Sequence, residues 1–284
     1  MEIRFLICSV FSISFLSMKA QEKFSAEVNA KTEPTEKINF NETNVGFSFR
    51  KNMSSKSAIA NTIEYSNVKL NYDAGDFKSF EDINQLNQIK DKLDFSVAVA
   101  ERTKLKFSAE PTVNFQHNLN ATDFNLLGSF NIIQELASKA IISIGAARTT
   151  AFGYPQFIPI LSLEYKLNEQ SNILIGFPDS KISYSNNNNN NNNSNTFSLT
   201  NSFNGNFYHL DNQNGTYNSS NVVLSQMTSA FSYERNVDKN WFIDFKAGYD
   251  FNKKYNITDD NNHKVYDFNI SDGYILGIGI KYKQ

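Results

Sequence analysis

Cysteine is nearly missing from this chain: Cys8 is the only one, and it lies inside the apolar stretch Phe5 to Leu16. A mature protein shorn of that stretch has no thiol, which excludes disulfides, thiolate metal sites and a cysteine nucleophile. Long hydrophobic runs are missing too. Nothing after residue 20 stays apolar for the roughly 20 residues that a spanning helix requires. A membrane crossing would therefore have to be made by a closed sheet, which satisfies its own backbone hydrogen bonds. There is no excess of basic charge either: 27 Lys+Arg stand against 29 Asp+Glu, for a net charge of −2. That balance argues against a nucleic-acid partner, since neither a basic stripe nor a pI above about 9 is present. Histidine is scarce, and no two of His117, His209 and His263 have the H-x-x-x-H spacing of a metal pair.

The amino terminus has the three-part layout of an export signal. Arg4 precedes the apolar stretch, and Ser17-Met18-Lys19-Ala20 follows it, so cleavage is expected after Ala20, leaving 21–284. Removing Arg4, Lys19 and Glu2 takes the net charge from −2 to −3. Cys8 sits mid-run, not at the end of the apolar region, so lipid attachment is not expected. An exported chain without disulfides fits a Gram-negative envelope better than eukaryotic secretion.

What is present is aromatic and periodic. Phe and Tyr number 25 and 13, yet mean hydropathy is −0.44. Tyr274, Leu276, Ile278, Ile280 and Tyr282 alternate with mostly glycine and lysine, and Trp241, Ile243, Phe245, Ala247, Tyr249 and Phe251 alternate with Asp244, Lys246 and Asp250. The same period of two runs through 24–31, 93–99 and 105–109, and candidate strands lie near 43–50, 62–72, 123–133, 139–150, 158–167, 172–184, 196–209 and 221–235. These segments predict an all-β protein, a transmembrane antiparallel up-and-down β-barrel of about 12 strands, with ten or fourteen as alternatives.

Three stretches share Tyr-x-x-Asn-x-x-x-Asn-apolar: Tyr165 to Ile173, Tyr233 to Trp241 and Tyr249 to Ile257. Asparagine tolerates left-handed backbone angles and bonds its own turn, so each is expected to be a hairpin. Phe80, Ile83, Leu86 and Ile89 recur every three residues and suggest a short amphipathic helix or a helical turn inside a connecting loop over 79–91, a polar loop with scattered isoleucines being the alternative. The eight asparagines 186–193 read as a solvated loop. Pro155 and Pro159 bracket a strand start, and Pro178 marks either a bulge or a turn within 172–184.

No constellation commits the chain to a reaction, so no catalytic, cofactor-binding or metal residue is nominated. A lipid hydrolase of the envelope is the enzymatic alternative, with His117 or His209 as its base, but no G-x-S-x-G elbow is present. Asp211 to Gly215 and Asp259 to Asn262 are acidic loops without the ordered calcium-loop pattern. A soluble periplasmic or secreted β-protein, its apolar faces meeting across a sandwich, is the third reading.

The run from Pro159 to Leu210 resembles a domain-of-unknown-function family of outer-membrane β-barrel proteins from Gram-negative bacteria. The resemblance rests on Pro159 with Leu161, on Ile173 through Pro178, on Ile182-Ser183-Tyr184 and on Asn204 through Tyr208. It implies an integral outer-membrane barrel, structural or acting in a pore or in transport, with outer-membrane lipids and the barrel assembly machinery as partners. It carries no catalytic residues to transfer. The chain departs from the usual terminal aromatic of such barrels by ending Tyr282-Lys283-Gln284.

Overall fold

Alternating segments that expose one apolar face and one polar face pair most stably with their sequence neighbours through short turns. The computed structural model, which describes residues 23–73, 77, 80–187, 194–211 and 220–284, shows them all in one antiparallel sheet. The strands are β1 (Lys23–Pro34), β2 (Ile38–Asn52), β3 (Ser57–Tyr72), β4 (Gln85–Ala100), β5 (Thr103–Phe115), β6 (Phe124–Ala137), β7 (Ala140–Thr149) and β8 (Gln156–Lys166). They continue as β9 (Ser171–Phe177), β10 (Asp179–Asn187), β11 (Ser194–His209), β12 (Asn221–Asp238), β13 (Trp241–Thr258), β14 (Lys264–Asp267) and β15 (Gly273–Lys283). Each strand up to β13 pairs with its predecessor. The ring shuts because β15 pairs with β1, Ser25 opposite Lys283, and with β13, Trp241 opposite Tyr282.

β14 pairs only with the far end of β13, so fourteen strands form the wall. That is the upper of the expected alternatives, and Pro178 accounts for one of the additional strands. With no N–H to give the ladder, it ends β9, and the chain doubles back so that Lys181 faces Leu174. Residues 172–184 are therefore a hairpin. The expected signal, 1–20, lies outside the described residues, as does 188–193 of the asparagine run. Asn186 and Asn187 extend β10, opposite Asn195 and Ser194.

The apolar faces point outward, not at each other, so the sandwich alternative does not hold. Val28, Phe95, Ile144, Leu161, Ile182 and Leu276 are all exposed on the outside of the ring. On β15 the aliphatic side chains are framed by Tyr274 and Tyr282, which pair with Tyr249 and Trp241 of β13 at ring-centroid distances of 5.3 and 5.2 Å. The eight steps between the two tyrosines span about 26 Å along an untilted strand, comparable to the roughly 25 Å apolar band between the aromatic girdles of membrane barrels. This is an outer-membrane-type barrel.

Among the described residues, 53–56, 101–102, 138–139, 167–170 and 239–240 are short turns at the near end, where β1 begins and β15 ends, while at the far end a short turn, 35–37, is joined by the longer stretches 116–123 and 259–272 and by Phe77 and 80–84 ahead of β4.

Ile278→Arg, on the outer face midway along β15, should cost about 2–4 kcal/mol in equilibrium unfolding from vesicles. Lys246→Ser, inside the ring on β13, should cost far less in the same measurement.

Candidate functional site

The third Tyr-x-x-Asn stretch builds the interior of the far end, and it is not a hairpin: β13 runs through it to Thr258. Opposite the step from Ser225 to Met227, β13 carries an extra residue, and Asn252 takes a left-handed φ of 51°. One inserted residue reverses the alternation. Before it Trp241, Phe245 and Phe251 face outward; after it Lys253, Tyr255 and Ile257 are buried inside. In the other two stretches the same asparagine makes turns as expected. Asn168 accepts the amide protons of Gln170 and Ser171 at 2.9 and 2.7 Å, and Asn236 donates to the carbonyls of Asp238 and Trp241.

Tyr255 and Ile257 join Ile38, Phe40, Val68, Leu70, Leu86, Tyr208 and Val222 in an apolar cluster that fills the far end of the lumen. Connecting segments complete it. Phe77, Phe80 and Ile83 enter from between β3 and β4, and Phe268 and Ile270 from between β14 and β15. Phe268 stacks on Tyr255 at 4.1 Å and meets Phe80 edge-on at 4.9 Å. Tyr72 shares a 2.7 Å hydroxyl contact with Tyr255 and donates to the Ile83 carbonyl at 2.8 Å, which ties the first segment to the wall. The spacing over 79–91 that suggests a helical insert corresponds to tight helical turning at Phe80, where the Phe80 and Ile83 amides donate to the Phe77 and Phe80 carbonyls at 2.9 and 2.8 Å, after which the chain enters β4 at Gln85.

The wall itself closes over this cluster. β5 and β11 are six strands apart around the ring, yet Phe115 and His209 pair directly, and the Asn114 amide donates to the Phe207 carbonyl at 2.8 Å. β10 starts opposite Ser202, so β11 beyond that point has no neighbour on this side and bends to meet β5. The turn between β7 and β8 packs against the bend. Thr150 donates to the Gly205 carbonyl at 2.8 Å, and Gly153, at φ +96°, lies where a Cβ would sit 2.4 Å from Val223. Only glycine satisfies both that angle and that approach.

Beneath the cap lies a buried charge layer. Lys253 is bonded to Glu33, lies 3.8 Å from Asp250, and places its ammonium 4.2 Å from the centre of the Phe40 ring. Lys31 bridges Glu33 and Glu42 at 2.7 and 2.6 Å. Thr228 donates to Asp250 at 2.6 Å, and Gln226 to Glu33 at 3.3 Å. Toward the near end the lumen opens into a polar cavity of about 470 Å³, reaching Glu27, Glu234 and Lys281.

The sequence matches, over residues 11–283, the model of a domain of unknown function, DUF6268. The chain belongs to that family. No curated protein matches it. Among solved structures, an outer membrane channel from Pseudomonas putida F1 is similar at 7% identity and TM-score 0.47, over 93% of this chain and 96% of that one. The Pseudomonas putida toluene transporter TodX is similar at 8% identity and TM-score 0.44, over 92% and 89%. The KdgM porin follows at 7% identity and TM-score 0.37, over 90% and 98%. At these scores the likeness does not bear on what the DUF6268 barrel carries, and its own geometry has to.

The three histidines, including His117 and His209 considered as a catalytic base, are scattered at the far end. His117 faces Asp211 at 3.6 Å, His263 faces Asp259 at 3.3 Å, and the His209 ring meets Phe207 edge-on. Among the described residues no serine hydroxyl is hydrogen-bonded to a histidine, and no group of three His, Cys, Asp or Glu is placed to hold a metal. In the acidic stretch at Asp259 the carboxylate accepts the amide protons of Asn261 and His263, at 2.9 and 2.8 Å, so it serves its own turn. Residues 212–215 of the other acidic stretch lie outside the described residues. Single-strand periodicity missed the charge layer because Glu33, Asp250 and Lys253 meet only through ring closure and the bulge.

Lys253→Met should destabilise the barrel by about 3–5 kcal/mol, since it strands buried carboxylates. Lys253→Met with Glu33→Gln should recover part of that loss in denaturant unfolding. A second expectation concerns pH. Burial, reinforced by the charge of Asp211 and opposed by the Asn120 amide, pushes the Asp123 carboxyl up to about 6. A folded value above the unfolded one means its proton stabilises the fold at low pH, an effect lost as pH rises from about 4 through 6. Protection of the 120–124 turn against proteolysis should fall across that window, and Asp123→Asn should flatten the profile.

Proposed function

We propose that this barrel resides in the outer membrane and is a solute channel held shut at its far end by the apolar cap, and that it is not an enzyme. The observation that carries the reading is the division of labour inside the ring. The fourteen-stranded wall encloses a polar cavity, and part of what obstructs the lumen, Phe77, Phe80, Ile83, Phe268 and Ile270, comes from connecting segments instead of from the wall. Segments of that kind can be displaced without breaking the strand ladder, whereas a lumen filled by wall side chains alone has no such freedom. Against a hydrolase stands the lack of any serine–histidine hydrogen bond among the described residues.

Membrane fractionation with heat-modifiable gel migration tests the location. Protein released by osmotic shock without detergent would overturn it. In planar bilayers the unaltered protein should conduct rarely, and Phe80→Ala with Phe268→Ala should raise open probability by about tenfold or more, since each truncation removes roughly 3–5 kcal/mol of packing from the closed state. If the altered protein folds, migrates as a barrel and stays as silent as the parent, the channel reading fails.

A further inference from the structure

The cavity has unlike walls. On β1, β2 and β3 its charged lining is Glu27, Lys31, Glu42 and Glu64, three carboxylates against one ammonium. On β10 and β11, about half the ring away, the lining is Lys181 with the hydroxyls of Thr196, Ser198 and Thr200. Most of the remaining charge is paired locally. Lys31 is taken up by Glu33 and Glu42, and Glu27 and Glu234 are held by Lys281 at 3.2 and 3.5 Å. Asp244 and Lys246 line the same side of the cavity two residues apart on β13, without an ion pair between them within 4 Å, so their opposite charges leave that stretch of the strand with no net charge.

Two further groups without an ion pair stand on opposite walls. Glu64 accepts a hydrogen bond from the Asn44 amide at 3.3 Å, and among the described residues it has no ion pair, even with its cross-strand neighbour Lys90. Lys181 has neither an ion pair nor a side-chain hydrogen bond among the described residues. They stand on β3 and β10, seven strands apart in a ring of fourteen, and so face each other across the lumen. A carboxylate without an ion pair opposite an ammonium without one is a transverse dipole, and a solute bearing both charges can answer both walls at once.

We infer that the cavity accepts small zwitterions, with a cationic end toward Glu64 and a carboxylate toward Lys181, where the neighbouring hydroxyls offer further donors. Its 470 Å³ lies within the roughly 300–1,000 Å³ of small-ligand pockets and suits a compound of the size of a short peptide. This specifies the solute class for the channel reading above and rests on it only for transport; binding can be measured alone.

The test is calorimetric titration of the purified barrel with triglycine and with its acetylated, amidated and doubly capped forms. Triglycine should bind about five- to tenfold more tightly than any capped form, the effect of one partly screened ion pair at each end. Lys181→Met should erase the difference between triglycine and its amide, and Glu64→Gln that between triglycine and its acetylated form. Equal affinity for all four compounds would overturn the inference. Conductance by the cap-loosened variant together with equal affinities would leave a channel without this preference. Selective binding with no conductance would keep the site and remove the channel.

Discussion

Hydrocarbon offers a backbone no hydrogen-bond partner, and each unsatisfied amide or carbonyl within it costs several kcal/mol. A chain with no long apolar helix can meet that condition only by leaving no strand edge open. Here the seam between β1 and β15 meets it, with eight residue pairs in register from Ser25–Lys283 to Thr32–Leu276. Outward apolar side chains, aromatic girdles and a polar lumen are stable arrangements only once that seam exists. The closed wall also supplies the low-dielectric enclosure in which Lys253, Glu33 and Asp250 interact strongly.

The far end shows how a barrel closes its own bore. Fourteen strands enclose more space than wall side chains fill, and three local devices reduce it: the bulge at Asn252, the bend that brings β11 to β5, and two connecting segments carrying aromatic rings. Each is small, a single left-handed residue or a single missing neighbour strand. Together they leave a bore filled by apolar side chains at the far end and a polar cavity toward the near end, with a layer of buried charge between them.

Much of the wall was legible from the period of two. Segments such as 241–251 and 274–282 place large apolar groups on one face, and they lie on the outside of the ring as their pattern demands. The lumen was less legible for a physical reason. Alternation reports which residues share a face of one strand, whereas Glu33 meeting Lys253, or Asn114 meeting the Phe207 carbonyl, depends on ring closure and register over long separations. The bulge misled for a related reason: asparagine's tolerance of left-handed angles serves a turn at Asn168 and an insertion at Asn252 equally well, and only the paired strand decides between them. In the same way Phe80, Ile83 and Leu86 carry a helical spacing but answer to a binding surface made by other strands.

The seam has a consequence for biogenesis. Its partners are the first and last strands of the wall, so the cylinder cannot close until Gly273 to Lys283 are in place. Every shorter intermediate presents two raw borders of unpaired peptide groups, prone to sticking to one another in water. Closure of the sheet is therefore an event that waits on Tyr274 through Tyr282.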